Sequence, residues 1–202
     1  MSHCRGKLES GDVDVLVTHS KEECTEGLLL RIVDRLKEIG FLVDDLSKPS
    51  GRSDHEQDTY MGVCKLADSE DGGRRRHRHI DIKVYKPQHF PFAVLYFTGS
   101  DHFNRSMRYF AKRKGFTLSD TQLARAVRVG KTKVHTMAST AVKCKTEQDI
   151  FNALGLKYVK PTLRHTYEHW GGIMEDEEGG EDAAGKGDCG MNGNVNSGYE
   201  TP

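Results

Sequence analysis

Apolar and polar positions alternate with period two over Gly11-Asp12-Val13-Asp14-Val15-Leu16-Val17. That is strand patterning, and it turns Asp12 and Asp14 to one face. A second strand is predicted over residues 77–84, where Asp81 stands among the β-branched Ile80, Ile82 and Val84. Between them the period lengthens to that of a helix. Leu29, Val33 and Leu36 fall at i, i+4 and i+7 within residues 26–39, and Gly40 supplies a stop. Residues 41–43 and 60–66 read as short strands, while the Ser-, Gly-, Asp- and Pro-rich stretch 47–58 reads as a mobile loop and residues 68–73 as a polar turn. Pro87 opens a helical segment over 87–97 that closes at Thr98-Gly99, and Ser100 caps a second helix over 101–114, ended by Gly115. Thr146-Glu147-Gln148-Asp149 has the form of a capping box and starts a helix to Leu154, and Trp170 ends the predicted fold. With no internal repeat, strands early and helices late predict an α/β or α+β body.

Adjacent carboxylates repel unless a cation lies between them. Asp12, Asp14 and Asp81 on neighbouring strands are therefore candidate ligands for hard divalent cations, which suit in-line phosphoryl transfer. A polar strand face in water is the plain alternative for the Asp12–Asp14 pair alone. The segment before it, Ser2-His3-Cys4-Arg5-Gly6-Lys7, can cradle phosphates or be a surface turn. His165-Thr166-Tyr167-Glu168-His169 matches a zinc-peptidase pattern, but it lies at the end of the predicted fold without a third ligand, and is set aside.

Charge sharpens this picture. The 202 residues carry 30 Lys and Arg against 30 Asp and Glu, yet residues 171–202 hold eight acids and one lysine. The preceding 170 residues thus keep a surplus of seven positive charges, as a polyanion-binding body would. The tail has nine glycines and is expected to be disordered. Arg74-Arg75-Arg76-His77-Arg78-His79 runs into the Asp81 strand and is a candidate phosphate-contacting stripe; a solvated turn and a nuclear-localisation patch are the other readings. The five cysteines are scattered with no C-x-x-C pair, as expected of reduced intracellular thiols. No apolar run reaches 18 residues, so no membrane span is expected.

Taken together, Ser2-x-x-Arg5-Gly6-Lys7, Gly11-Asp12-x-Asp14, Ile80-Asp81-Ile82 and Tyr96-Phe97-Thr98-Gly99-Ser100 with Asn104 and Arg108 resemble the family X DNA polymerases. Order and spacing match over the first 160 to 170 residues, and the Tyr96-Phe97 pair is similar to the members that carry Tyr-Phe there instead of Gly-Trp. The resemblance implies an α+β fold: a nucleotidyltransferase-type palm sheet (1–85, incomplete at its start), a helical and small-sheet nucleotide-selection subdomain (86–170) and the tail (171–202). It implies template-directed addition of deoxynucleotides to a primer 3′-hydroxyl in short-gap repair, by a monomer in the nucleus acting on gapped DNA. Asp12, Asp14 and Asp81 would be catalytic and would hold two Mg²⁺ ions, for which Mn²⁺ would substitute. Ser2, Arg5 and Gly11 would contact the triphosphate, and Tyr96, Phe97 and Gly99 would line the sugar pocket. Asp101 would stack near the base, Asn104 would reach the nascent pair, and Arg78, His79 and Arg108 would contact DNA.

Three positions depart from the family pattern: Met1 replaces the loop's leading glycine, Cys4 the first arginine of Arg-Arg-Gly, and His79 an arginine. The chain also corresponds only to the C-terminal part of such an enzyme, without lyase or helix-hairpin-helix regions, so no deoxyribose-phosphate removal is expected. The alternatives are a catalytically inactive DNA-binding remnant and a non-templated nucleotidyltransferase; Tyr96-Phe97 and Arg108 weigh against the second.

Overall fold

The computed structural model describes residues 3–6, 8–47, 57–66, 76–129 and 133–170. Ser2, most of the predicted loop at 47–58, the 68–73 turn, Arg74, Arg75 and the acidic tail lie outside the described residues.

Two packed units are joined end to end. In the first, β1 (Val13–Val17), β2 (Leu42–Ser47), β3 (Gln57–Cys64) and β4 (Arg78–Tyr85) form one sheet in the order β1-β4-β3-β2. β1 runs parallel to β4, and the other pairs are antiparallel. Helix α1 (Leu28–Glu38) makes the crossover and buries Leu29 and Val33 against one face of the sheet. That face is apolar because alternate strand residues point to it: Ile80, Ile82 and Val84 from β4, and Tyr60 and Cys64 from β3. Gly62 also lies on it, and a Cβ there would stand only 2.3 Å from the Tyr60 hydroxyl, so the tyrosine ring occupies the space that glycine leaves. Tyr60 donates to Asp45 (2.7 Å), which also pairs with Lys37 of α1 (2.7 Å), tying helix to sheet.

The second unit begins with α2 (Phe90–Thr98) and α3 (Asp101–Arg113). Pro91 sits in the first turn of α2, where a missing N–H costs nothing, and Ser100 caps α3 by accepting from the Phe103 N–H (3.4 Å). A three-stranded antiparallel sheet follows: β5 (Phe116–Leu118), β6 (Leu123–Val129) and β7 (Lys133–Ala141). The predicted capping box at the start of α4 (Glu147–Ala153) is present, with Thr146 and Asp149 bonding each other's backbone. Phe103, Met107, Leu123, Phe151 and Trp170 centre the core of this unit.

Several boundaries differ from the sequence reading. β1 starts at Val13, not Gly11; residues 11 and 12 form a bend across which Ser10 Oγ donates to the Asp12 carbonyl (2.9 Å). β2 continues to Ser47 and β3 begins at Gln57, shortening the predicted loop from both ends. α2 starts only at Phe90, since residues 87–89 form a turn.

Candidate active site

The parallel pairing of β1 with β4 sets Asp14 directly beside Asp81. Residues facing each other in register share a sheet face, and here it is the one opposite α1. Both are half-buried. Asp12 is exposed on the bend before β1, and two more steps of the same register would bring it level with His79, which is exposed at the start of β4. Two carboxylates at one register are the hard oxygen donors that Mg²⁺ takes. Among the described residues, no three Asp, Glu, His or Cys side chains are gathered into a ligand set. The donor chemistry therefore suits a divalent cation at Asp14 and Asp81, with Asp12 standing at the edge.

The same face continues along β4 through Lys83 and Tyr85, and Phe97, at the end of α2, packs on both. Lys83 Nζ lies 5.5 Å from its ring centre, and the Tyr85 ring meets it edge-on at 6.5 Å. Tyr96 packs edge-on against Phe97 (5.1 Å) and is itself partly exposed. Beyond them the chain turns through a cis Gly99–Ser100 peptide. Gly99 has a φ of +67°, and a Cβ on it would sit 3.0 Å from Arg5 Nη1. The positive φ favours glycine at this position, while the contact alone would ask only a small shift of the flexible Arg5 end.

Arg5 belongs to the short 3₁₀ turn His3–Arg5 and donates from Nη1 to the Thr98 carbonyl. Its Nε is buried with no hydrogen-bond partner among the described residues. The segment ahead of β1 thus meets the turn after α2, and a guanidinium N–H remains unused between them. Gly11 is exposed at the entry to β1 with open space around it.

Asn104 and Arg108 share the outer face of α3, as their spacing requires. Asn104 Nδ2 donates to the Tyr96 carbonyl (2.6 Å), Arg108 Nε to the Asn104 carbonyl (3.3 Å), and the Arg108 guanidinium lies 5.6 Å from the Tyr96 ring centre. With Phe92, Leu95 and Met107 these residues line a shallow surface depression of about 10 Å³, the room of a single water. Asp101 pairs with Arg105 (2.9 Å) on the exposed first turn of α3. Arg78 is exposed and bonds the neighbouring His77 carbonyl (3.2 Å). The structure thus links Asp14 and Asp81 along the β4 face to Phe97, Arg5 to the Thr98–Gly99 turn, and Asn104 and Arg108 to Tyr96, while Asp12 and His79 stand exposed at the edge of the sheet.

Sequence reasoning passed over Tyr85. It is fully buried, and its hydroxyl donates to Asp120 (2.8 Å). Burial first, and then the Asp120 carboxylate, push its ionisation far above the ordinary tyrosine value. A lone tyrosine ending an apolar strand carries no sequence signal for such a bond.

A palm-like sheet with aspartates in register, backed by a helical and small-sheet unit, defines a polymerase-type nucleotidyltransferase body. The palm of DNA polymerase beta matches residues 1–87 and its thumb residues 93–165, and the chain belongs to the family X DNA polymerases. It is 44% identical over 160 residues to DNA polymerase lambda of Rattus norvegicus, covering 79% of this chain and 27% of that protein. It is 34% identical over 167 residues to DNA polymerase lambda of Arabidopsis thaliana, covering 81% of this chain and 31% of that protein. Human DNA-directed DNA/RNA polymerase mu is 30% identical over 181 residues, covering 80% of this chain and 35% of that protein. The chain thus spans roughly a third or less of the length of these curated relatives.

Proposed function

We propose that this chain carries the catalytic half of a template-directed DNA polymerase that adds deoxynucleotides to a primer 3′-hydroxyl at short gaps in nuclear DNA. The observation that carries the reading is the Asp14–Asp81 register on the sheet face against which Phe97 packs. Asp14 and Asp81, with Asp12 at the edge, would hold Mg²⁺. When bound, the metal supplies Lewis-acid stabilisation of charge on the reacting phosphate oxygens.

The chain's own residues supply position and charge. The Arg5 guanidinium, anchored on the Thr98 carbonyl, has the charge and donors a triphosphate oxygen needs. Tyr96 and Phe97 form the wall of the sugar pocket, and the turn at Gly99 brings that wall against Arg5 without a side chain in between. Asn104 is held by the Tyr96 backbone on the outer face of α3, the side on which the nascent pair would lie. Arg108, exposed beside it, is the template-strand contact, and Arg78 and His79 reach the primer side.

One feature favours a second reading, a DNA-binding remnant without catalysis: Cys4 stands where the family motif carries an arginine, leaving the phosphate loop with fewer cations. One assay separates the two. The 202-residue chain is given gapped DNA, Mg²⁺ and one deoxynucleotide, beside an Asp81→Ala variant. Polymerase action predicts incorporation that follows the template and falls by about two to three orders of magnitude or more in the variant. A folded chain that binds the gap yet incorporates nothing would establish the remnant, and incorporation that survives Asp81→Ala would reject the carboxylate assignment.

A further inference from the structure

We propose that Tyr85 is a positioning residue that fixes the nucleotide pocket against the strand carrying Asp81. The inference rests on the reading of Phe97 as a pocket wall.

Tyr85 lies four residues beyond Asp81 on the same face of β4, and its fully buried ring touches Phe97 edge-on. A buried phenol keeps its place only if its hydroxyl is bonded. The partner is Asp120, in the turn between β5 and β6 (2.8 Å). A second bond lies next to it. His89 Nδ1 donates to the Thr121 carbonyl (2.7 Å), and Gln88 donates to its other ring nitrogen (3.2 Å), which fits that tautomer.

The receiving turn is rigid in its own right, because Ser119 Oγ accepts from the N–H groups of Thr121 (3.2 Å) and Gln122 (3.1 Å). Consecutive residues of one preformed turn thus grip the end of β4 and the start of α2. Phe97 lies under that grip. Lys83 covers its ring and Tyr85 abuts its edge, so β4 sets where the ring stands. Without the Tyr85–Asp120 bond the Tyr85 ring is free to shift, and Phe97 and the 96–100 turn shift with it, while Asp81 stays in its ladder with β1 and β3. Nucleotide fit is expected to suffer, and the chemical step is not.

The test is Tyr85→Phe in the full chain, which keeps the ring and removes the hydroxyl, with Asp120→Ala taking away the partner from the other side. In single-nucleotide extension each variant is expected to raise KM for the deoxynucleotide about tenfold, with kcat within about twofold, and to lose a similar factor of discrimination against the ribonucleotide. Amide hydrogen exchange without any substrate gives the second readout: residues 96–100 and 119–122 are expected to exchange about tenfold faster in both variants. A Tyr85→Phe chain with unchanged KM, discrimination and exchange at 96–100 overturns the proposal, as does an equal fall in kcat with KM unmoved. Should Tyr85→Phe fail to fold, Asp120→Ala carries both readouts. Should the wild-type chain incorporate nothing, the polymerase reading fails by itself, and exchange at 96–100 alone decides whether Tyr85 positions that turn.

Discussion

Arg164 carries a positive charge into the core of the second unit with no side-chain exposure. Such a charge is tolerable only when paired and fully bonded. Glu147 answers it at 2.8 Å and 3.4 Å, the Val159 carbonyl accepts a hydrogen bond from Nε–H at 2.9 Å, and the rings of Phe103, Phe151 and Tyr158 surround the guanidinium at 5.2 to 5.6 Å. The Arg164 carbonyl in turn accepts from Ser100 Oγ (2.7 Å), so this buried pair supports the turn beside the pocket. Breaking a buried pair from one side leaves an uncompensated charge, which costs roughly 3–5 kcal/mol. Glu147→Gln is therefore expected to lower stability by about 3 kcal/mol in urea unfolding, and Arg164→Met, which removes the charge and keeps bulk, by less. If Glu147→Gln loses under about 1 kcal/mol, the pair is not the anchor described, since exposed pairs reach only that value.

Among the elements, α4 is short, and its start is fixed by reciprocal capping. The backbone N–H groups of Lys145 (2.8 Å) and Thr146 (2.9 Å) donate to Asp149, and these bonds, the Lys145 one first, hold its carboxyl below the ordinary value. A carboxylate whose folded pKa is depressed adds stability in full above its unfolded value, near 4, and loses it as pH falls through the lower folded value. Acid unfolding monitored by circular dichroism is thus expected to show less pH dependence below about 4 in Asp149→Asn than in wild type. Identical acid profiles would mean that Asp149 gains nothing from the cap. This capping box was legible in the sequence, as was the Ser100 cap, because caps are local. Two strand patterns suggest that Asp14 and Asp81 lie on neighbouring strands, but their pairing at one register comes from the parallel β1–β4 ladder, which no local pattern sets. The bend that takes Asp12 out of β1 was not legible, since Asp12 keeps the alternation of the strand it precedes. Nor were Arg164 and the Tyr85–Asp120 bond, whose partners lie 17 and 35 residues away and leave no periodic trace.

For the whole molecule, equal numbers of positive and negative side chains hide a strong separation along the chain. Exposed cations of the body include Arg108, Lys112 and Arg113 on α3 and Arg76 and Arg78 ahead of the Asp81 strand, the surfaces that the proposed function gives to DNA. The tail carries Glu175, Asp176, Glu177, Glu178, Glu181 and Asp182 within eight residues. Tethered polyanion of that density competes with phosphates for the same cations, and the competition is strongest where salt screens least. Changing those six acids to their amides in the full chain is expected to tighten binding to gapped DNA about tenfold near 50 mM salt, as measured by fluorescence anisotropy. The gap between the two proteins should close as salt rises towards about 200 mM, because screening weakens tail and DNA alike. The separation of charge also predicts a steeper salt slope for the amide variant, since cations occupied by the tail do not release counterions from DNA when it binds. Equal affinities at low salt would mean that the tail does not reach the α3 cations, and that its acidity acts on something other than DNA binding by this body.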